Sequence, residues 1–195
     1  ATTEIYTLSL HDALPISNIS IFIPHNGCPQ QCSFCNQNRI TGESHQPQPE
    51  EVAALLQSAA KQMGERVQNA EIAFFGGSFT AIDPDYRLAL LKTAHAACET
   101  YGFAGIRCST RPDAIDDERL TVLKQYGVTA IELGAQSMDG EVLLLNRRGH
   151  TAKDVENAAR LIRAYDFELG LQMMTGLPGD SDAKAMKTVK RLLAL

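Results

Sequence analysis

The sequence predicts an α/β fold built from repeated βα units, and three observations carry that prediction. From Ile19 onward, short runs of aliphatic and β-branched residues alternate with longer amphipathic stretches, the pattern of strands and helices around a parallel sheet or barrel. Proline, aspartate and glycine stand where those helices should start and stop. Residues suited to chemistry collect just after each apolar run, where parallel βα architectures hold their ligands.

Five strands are expected, at residues 19–24, 72–76, 106–110, 130–135 and 169–174, each short, aliphatic and bounded by turn residues. Between the first two, Val52, Leu55, Leu56, Ala59 and Met63 recur at helical spacing and predict one apolar face. Asp83 followed by Pro84 reads as an N-cap with proline in the first helical turn. Asp116 caps the next helix, and Thr151 with Asp154 forms a capping box. Gly102 and Gly127 stand where a helix ends on a left-handed residue.

At 195 residues with 44% hydrophobic content, the chain is of a size to bury one core. A net charge of -5 gives no general footprint for nucleic acid, though Arg147 and Arg148 could touch phosphate locally. No apolar run is long enough to span a bilayer, and no signal peptide is visible, so a cytoplasmic location without membrane contact is expected. Residues 1–17 show no clear strand or helix period and resemble a translated sequencing adapter; they are expected to be a non-native leader. The core domain is then 18–195, truncated at its C-terminus, because residues 192–195 stop inside an apolar helical pattern.

Three of the five cysteines crowd into eight positions as Cys28-Pro-Gln-Gln-Cys32-Ser-Phe-Cys35. In a reducing compartment this reads as metal binding. A cubane iron-sulfur cluster has four iron corners, and three thiolates leave one open. A zinc site would show two separated ligand pairs, although His25 or His45 could complete one. Cys98 and Cys108 fall in a helix and a strand and are expected in the core.

With Gly76 and Gly77 following the second strand, this C-x3-C-x2-C loop resembles that of the radical S-adenosylmethionine superfamily. The resemblance implies a partial TIM-like (β/α)6 barrel of which five βα units are present. It also implies a [4Fe-4S] cluster on Cys28, Cys32 and Cys35, whose open iron takes S-adenosylmethionine. One electron, from a reductant such as flavodoxin or ferredoxin, would then release a 5′-deoxyadenosyl radical. Gly76, Gly77 and Ser78 stand where the family carries a GGE-type motif whose backbone binds the methionine amino group; Ser78 replaces the acidic residue.

Residues 131–137 (IELGAQS) and 146–150 (NRRGH) are similar to segments of the Elp3-like and anaerobic coproporphyrinogen oxidase-like branch. That likeness implies that Gln136 and Arg148 contact the cofactor, Arg148 through its carboxylate. Ser109, opening an STRPD segment, and Gln172 stand where relatives carry glutamate and aspartate, and either can still hydrogen-bond a ribose. Gly176, first residue of a GLPG turn, and Phe34 in the cysteine loop fall near adenine in the family. Arg111 reads equally as a site residue or an ion-pair partner, and His25 and His150 as proton donors or as turn residues. The expected activity is Elp3-like modification of a wobble uridine in tRNA; the alternatives are a radical enzyme on a tetrapyrrole or other small metabolite, and a non-catalytic metal-binding module.

Overall fold

A computed structural model describes residues 4–8, 17–24, 32–35 and 45–195. Among these, six strands form one sheet: β1 (Glu4–Leu8), β2 (Ser17–Ile23), β3 (Ala70–Gly76), β4 (Gly105–Thr110), β5 (Val128–Gln136) and β6 (Glu168–Thr175). The helices are α1 (Pro49–Met63), α2 (Pro84–Tyr101), α3 (Asp117–Gln125), α4 (Gly140–Leu145), α5 (Ala152–Ala164) and α6 (Asp182–Leu192). Strand order is β1-β6-β5-β4-β3-β2. Neighbours from β2 to β6 are parallel, as the alternation of apolar runs and helices requires.

Period-two alternation sorts the strand side chains onto two faces. Ile21, Ile23, Ile72, Phe74, Ile106, Ile131, Leu133 and Leu171 are buried in one core with Leu56, Leu90, Leu91, Leu120, Leu123 and Ile162 of the helices. Each such side chain stabilises the fold by about 1.5–3 kcal/mol when fully buried. The rings of Phe74 and Phe79 stack with centroids 4.5 Å apart. The alternate positions, Glu71, Arg107, Ser109, Glu132 and Gln172 among them, fall on the opposite face and are polar.

The predicted caps form as read. Asp83 and Asp116 accept hydrogen bonds from Tyr86 N and Arg119 N, Thr151 and Asp154 make a reciprocal capping box, and Gly102 has φ +79°. The apolar face of α1 is narrower than expected: Val52 and Leu56 are buried, whereas Leu55 is 46% exposed. Met63, as predicted, and Ala60 continue the stripe partly buried, whereas Leu55 falls on the outer flank of the helix line through Val52, Leu56 and Met63.

The strand at Glu4–Leu8 falls where the sequence shows no period. It pairs antiparallel with β6, Glu4 opposite Thr175 and Leu8 opposite Leu171. The outer edge of β6 offers a row of backbone donors and acceptors, and an extended segment can satisfy these with little demand on side-chain pattern. No helix among the described residues is long and apolar enough to cross a membrane.

Candidate functional site

Because β2 to β6 are parallel, their C-terminal ends lie along one edge of the sheet, and the residues that follow them meet there. The end of β3 is shaped by Gly76, whose φ of +104° disfavours a side chain. A Cβ there would also run into the Phe22 ring and come within 2.9 Å of the Ile23 carbonyl. The next amide, Gly77 N–H, donates to that same Ile23 oxygen at 2.9 Å, so the glycine pair docks β3 closely on β2. Ser78 is half-buried and its carbonyl accepts from Ala81 N.

Thr80 then ties this turn to the one after β4. Its hydroxyl donates to the Ala114 carbonyl at 2.6 Å and lies 2.5 Å from the Thr110 hydroxyl. Its own carbonyl accepts from Arg87 Nη1 and Arg119 Nε. Arg111, buried, forks onto Asp113 with two contacts of 2.5 Å, the ion pair that one of its two readings foresees. Ser109 and Gln172 sit on the polar face of the sheet. Gln172 lies against Glu132, where its amide is one of the groups favouring the charged carboxylate.

At the end of β5 the ladder to β6 shifts register between Gly134 and Gln136, a bulge of the kind that re-aims a side chain. Gln136 has φ +63°, a conformation that non-glycine residues seldom adopt. Its side chain and that of Arg148 converge over Gly134, where an added Cβ would lie 3.1 Å from Gln136 Nε2 and 3.6 Å from Arg148 Nη2. Arg148 Nη2 donates to the Gly134 carbonyl at 2.9 Å, and Nη1 reaches Cys32 Sγ at 3.4 Å. The guanidinium also stands 5.7 Å from the centroid of the Phe34 ring, within cation–π range.

Cys32 is buried and Cys35 exposed. Cys35 N–H donates to the Cys32 carbonyl at 3.0 Å, closing a turn over Ser33 and Phe34. Phe34 packs against Val142, Met174 and Leu177, so the cysteine loop touches the GLPG turn directly. Gly176, exposed and with φ +72°, starts that turn. Cys28 and His25 lie outside the described residues. Cys98 and Cys108 are in no disulfide, and burial pushes their thiols up to about 11 and about 12, as expected of inert core cysteines.

Two orphaned atoms test whether this edge suits an amino-acid ligand. Among the described residues, Arg148 Nε and Gln136 Oε1 are buried and take no hydrogen-bond partner. One is a cationic donor and the other a neutral acceptor, which together match the carboxylate and ammonium of a methionine moiety. Buried polar groups left unsatisfied cost stability, which favours a ligand that pairs them. The thiols of Cys32 and Cys35, one turn apart and beside this pair, are the donor type that iron-sulfur clusters use.

Sequence reasoning passed over two residues that organise the site. Thr80 and Asn146 are both fully buried, and each joins loops distant in sequence. A buried polar residue in a turn looks, in sequence, like a solvated one. Asn146 lay inside a segment singled out for Arg148, and nothing in its residue type separated it from its neighbours.

Residues 22–192 match the family model of the radical SAM superfamily. A curated "tRNA uridine(34) acetyltransferase" from Dehalococcoides mccartyi is 27% identical over 187 residues, covering 80% of this chain and 41% of that protein. The solved structure of Methanocaldococcus infernus Elp3 superposes with a TM-score of 0.64 at 20% identity, over 91% of this chain and 42% of the other. Coproporphyrinogen III oxidase (HemN) from Escherichia coli gives 0.54 at 19%, over 91% and 41%. The chain thus spans about two fifths of the length of each, and the two structural likenesses speak for the fold.

Proposed function

This chain belongs to the radical S-adenosylmethionine superfamily, and on that footing we propose that it carries the cofactor-cleaving site of an Elp3-like enzyme acting on a wobble uridine of tRNA. Cys28, Cys32 and Cys35 hold a [4Fe-4S] cluster in this reading. When bound, the cluster supplies the electron that splits a carbon–sulfur bond of S-adenosylmethionine, giving methionine and a 5′-deoxyadenosyl radical. A flavodoxin- or ferredoxin-type protein is the source of that electron.

The observation that carries the reading is the convergence of Arg148 on Cys32, Phe34 and Gly134, which sets a cationic donor between the cysteine turn and the end of β5. Arg148 grips the methionine carboxylate, Gln136 accepts from the ammonium, and the Gly76–Gly77 backbone with Ser78 flanks the same group. Phe34 and the turn beginning at Gly176 border adenine; Ser109 and Gln172 face the ribose. The likeness to a tRNA uridine(34) acetyltransferase over 80% of the chain favours tRNA over a tetrapyrrole.

Anaerobic reconstitution with iron and sulfide tests the proposal. The chain should take up about four irons, as a cubane requires, and after reduction yield 5′-deoxyadenosine from S-adenosylmethionine. Cys32→Ala should abolish both. A zinc-loaded protein, or a cluster that never cleaves the cofactor, would sink the central claim. Cofactor cleavage stimulated by a porphyrinogen and indifferent to tRNA would overturn the substrate alone.

A further inference from the structure

Asn146 closes α4 and is completely buried, yet all its polar atoms are employed. Its Nδ2 donates to the carbonyls of Val142 at 2.7 Å and Pro178 at 3.0 Å. Only an amide nitrogen satisfies two carbonyls, which leaves Oδ1 as the acceptor on the other side. That oxygen receives the Ser33 hydroxyl at 2.6 Å, and the Asn146 main-chain carbonyl receives Ser33 N–H at 3.2 Å.

One side chain thus joins α4, the GLPG turn and the turn between Cys32 and Cys35. Capping α4 needs only the bond to Val142. The two bonds from Ser33 do nothing for the helix, but they fix the residue that follows Cys32 and so the direction in which both thiols of the turn point. Two residues on, Arg148 meets Cys32 from the same short segment. Cysteine turn and cofactor-binding arginine are therefore referenced to one buried anchor.

We infer that Asn146, acting through Ser33, is the positioning residue that sets the cysteine turn against Arg148 and the GLPG turn, and that it governs how firmly the cluster is held and how the cofactor meets it. The inference rests on the reading of Cys28, Cys32 and Cys35 as cluster ligands. Partners that orient metal ligands typically account for about 10–100-fold in metal affinity or activity.

Ser33→Ala separates this role from helix capping, because it removes a hydroxyl from an exposed residue and leaves α4 and its cap intact. In the reconstituted full chain, a chelator should strip iron from Ser33→Ala about tenfold faster than from wild type. The shift in the reduced cluster's electron paramagnetic resonance on adding S-adenosylmethionine should also change, with the thermal midpoint of the metal-free protein unaltered. Ser33→Thr, which keeps the hydroxyl, should restore both readouts. Asn146→Asp retains the acceptor for Ser33 but cannot donate to Val142 or Pro178, and should alter the resonance as well. Stripping rates and spectra equal to wild type in Ser33→Ala would overturn the inference while leaving the cluster reading intact. A wild-type chain that takes up no iron would overturn that reading and this inference with it.

Discussion

His150 is buried, and its Nε2 lies 3.2 Å from the Ala135 carbonyl. A carbonyl only accepts, so Nε2 carries the proton. The same oxygen accepts Ser137 N–H at 2.8 Å, and the two donors hold the backbone on either side of the left-handed Gln136. Burial above all, and next the Arg148 charge, push the imidazole down to about 4 from its ordinary 6.5. Above pH 6.5 neither folded nor unfolded chain is protonated there, and the ring adds no pH dependence. Between pH 6.5 and 4 the unfolded chain binds a proton that the folded one refuses, so stability falls as pH falls, and the loss levels off below 4. Two and a half units correspond to about 3 kcal/mol. Urea unfolding at pH 7 and pH 4 should therefore show wild type losing about that much more than His150→Gln, which keeps a donor for Ala135 but cannot titrate. Equal losses would mean the ring is protonated in the folded state.

Elements report how far local sequence reaches. The five parallel strands and the caps at Asp83, Asp116 and Thr151 were legible because aliphatic runs and capping chemistry act over a few residues. Gly76 and Gln136 were legible as candidate site positions only through the resemblance. What makes them special, the close docking of β3 on β2 and the bulge at the end of β5, arises between strands. Anchors such as Asn146 and Thr80 were illegible, since their bonds cross 113 and 34 residues of sequence. Gly76→Ala puts a Cβ against Phe22 and the Ile23 carbonyl at a φ of +104°, and a side chain held in so rare a conformation costs about 1–3 kcal/mol. A lowered urea midpoint with an unchanged slope is the expected result. Wild-type stability in the variant would show that β2 and β3 can separate at that end without cost.

Across the middle of the sheet, one charge network joins three strands on the polar face. Arg107 on β4 contacts Glu71 on β3 at 2.5 Å and Glu132 on β5 at 2.9 Å, with all three side chains at least 86% buried. Thr129 adds a hydroxyl to Glu71 at 3.3 Å. Glycine at 170 makes room on β6, since a Cβ there would lie 2.6 Å from the Glu132 carboxyl carbon. Two carboxylates on one guanidinium leave an excess of negative charge, and Glu132 is pushed above the usual carboxylate range, by burial first and in spite of Arg107. The folded state thus holds the Glu132 proton more tightly than the unfolded one, and stability from this group declines as pH rises through its folded value. Arg107→Met keeps the length of the side chain but removes the cation that three strands share. Stranding buried charge by removing one partner costs about 3–5 kcal/mol. The variant should lose about that much at pH 7 in urea unfolding, and the deficit should shrink as pH falls and Glu132 takes up a proton. Adding Glu132→Gln to Arg107→Met should recover part of the loss at pH 7 and flatten its pH dependence, a coupling expected of residues in one network. If Arg107→Met matched wild type at pH 7, the network would be passive, and the sheet would be held by the helix-side core alone.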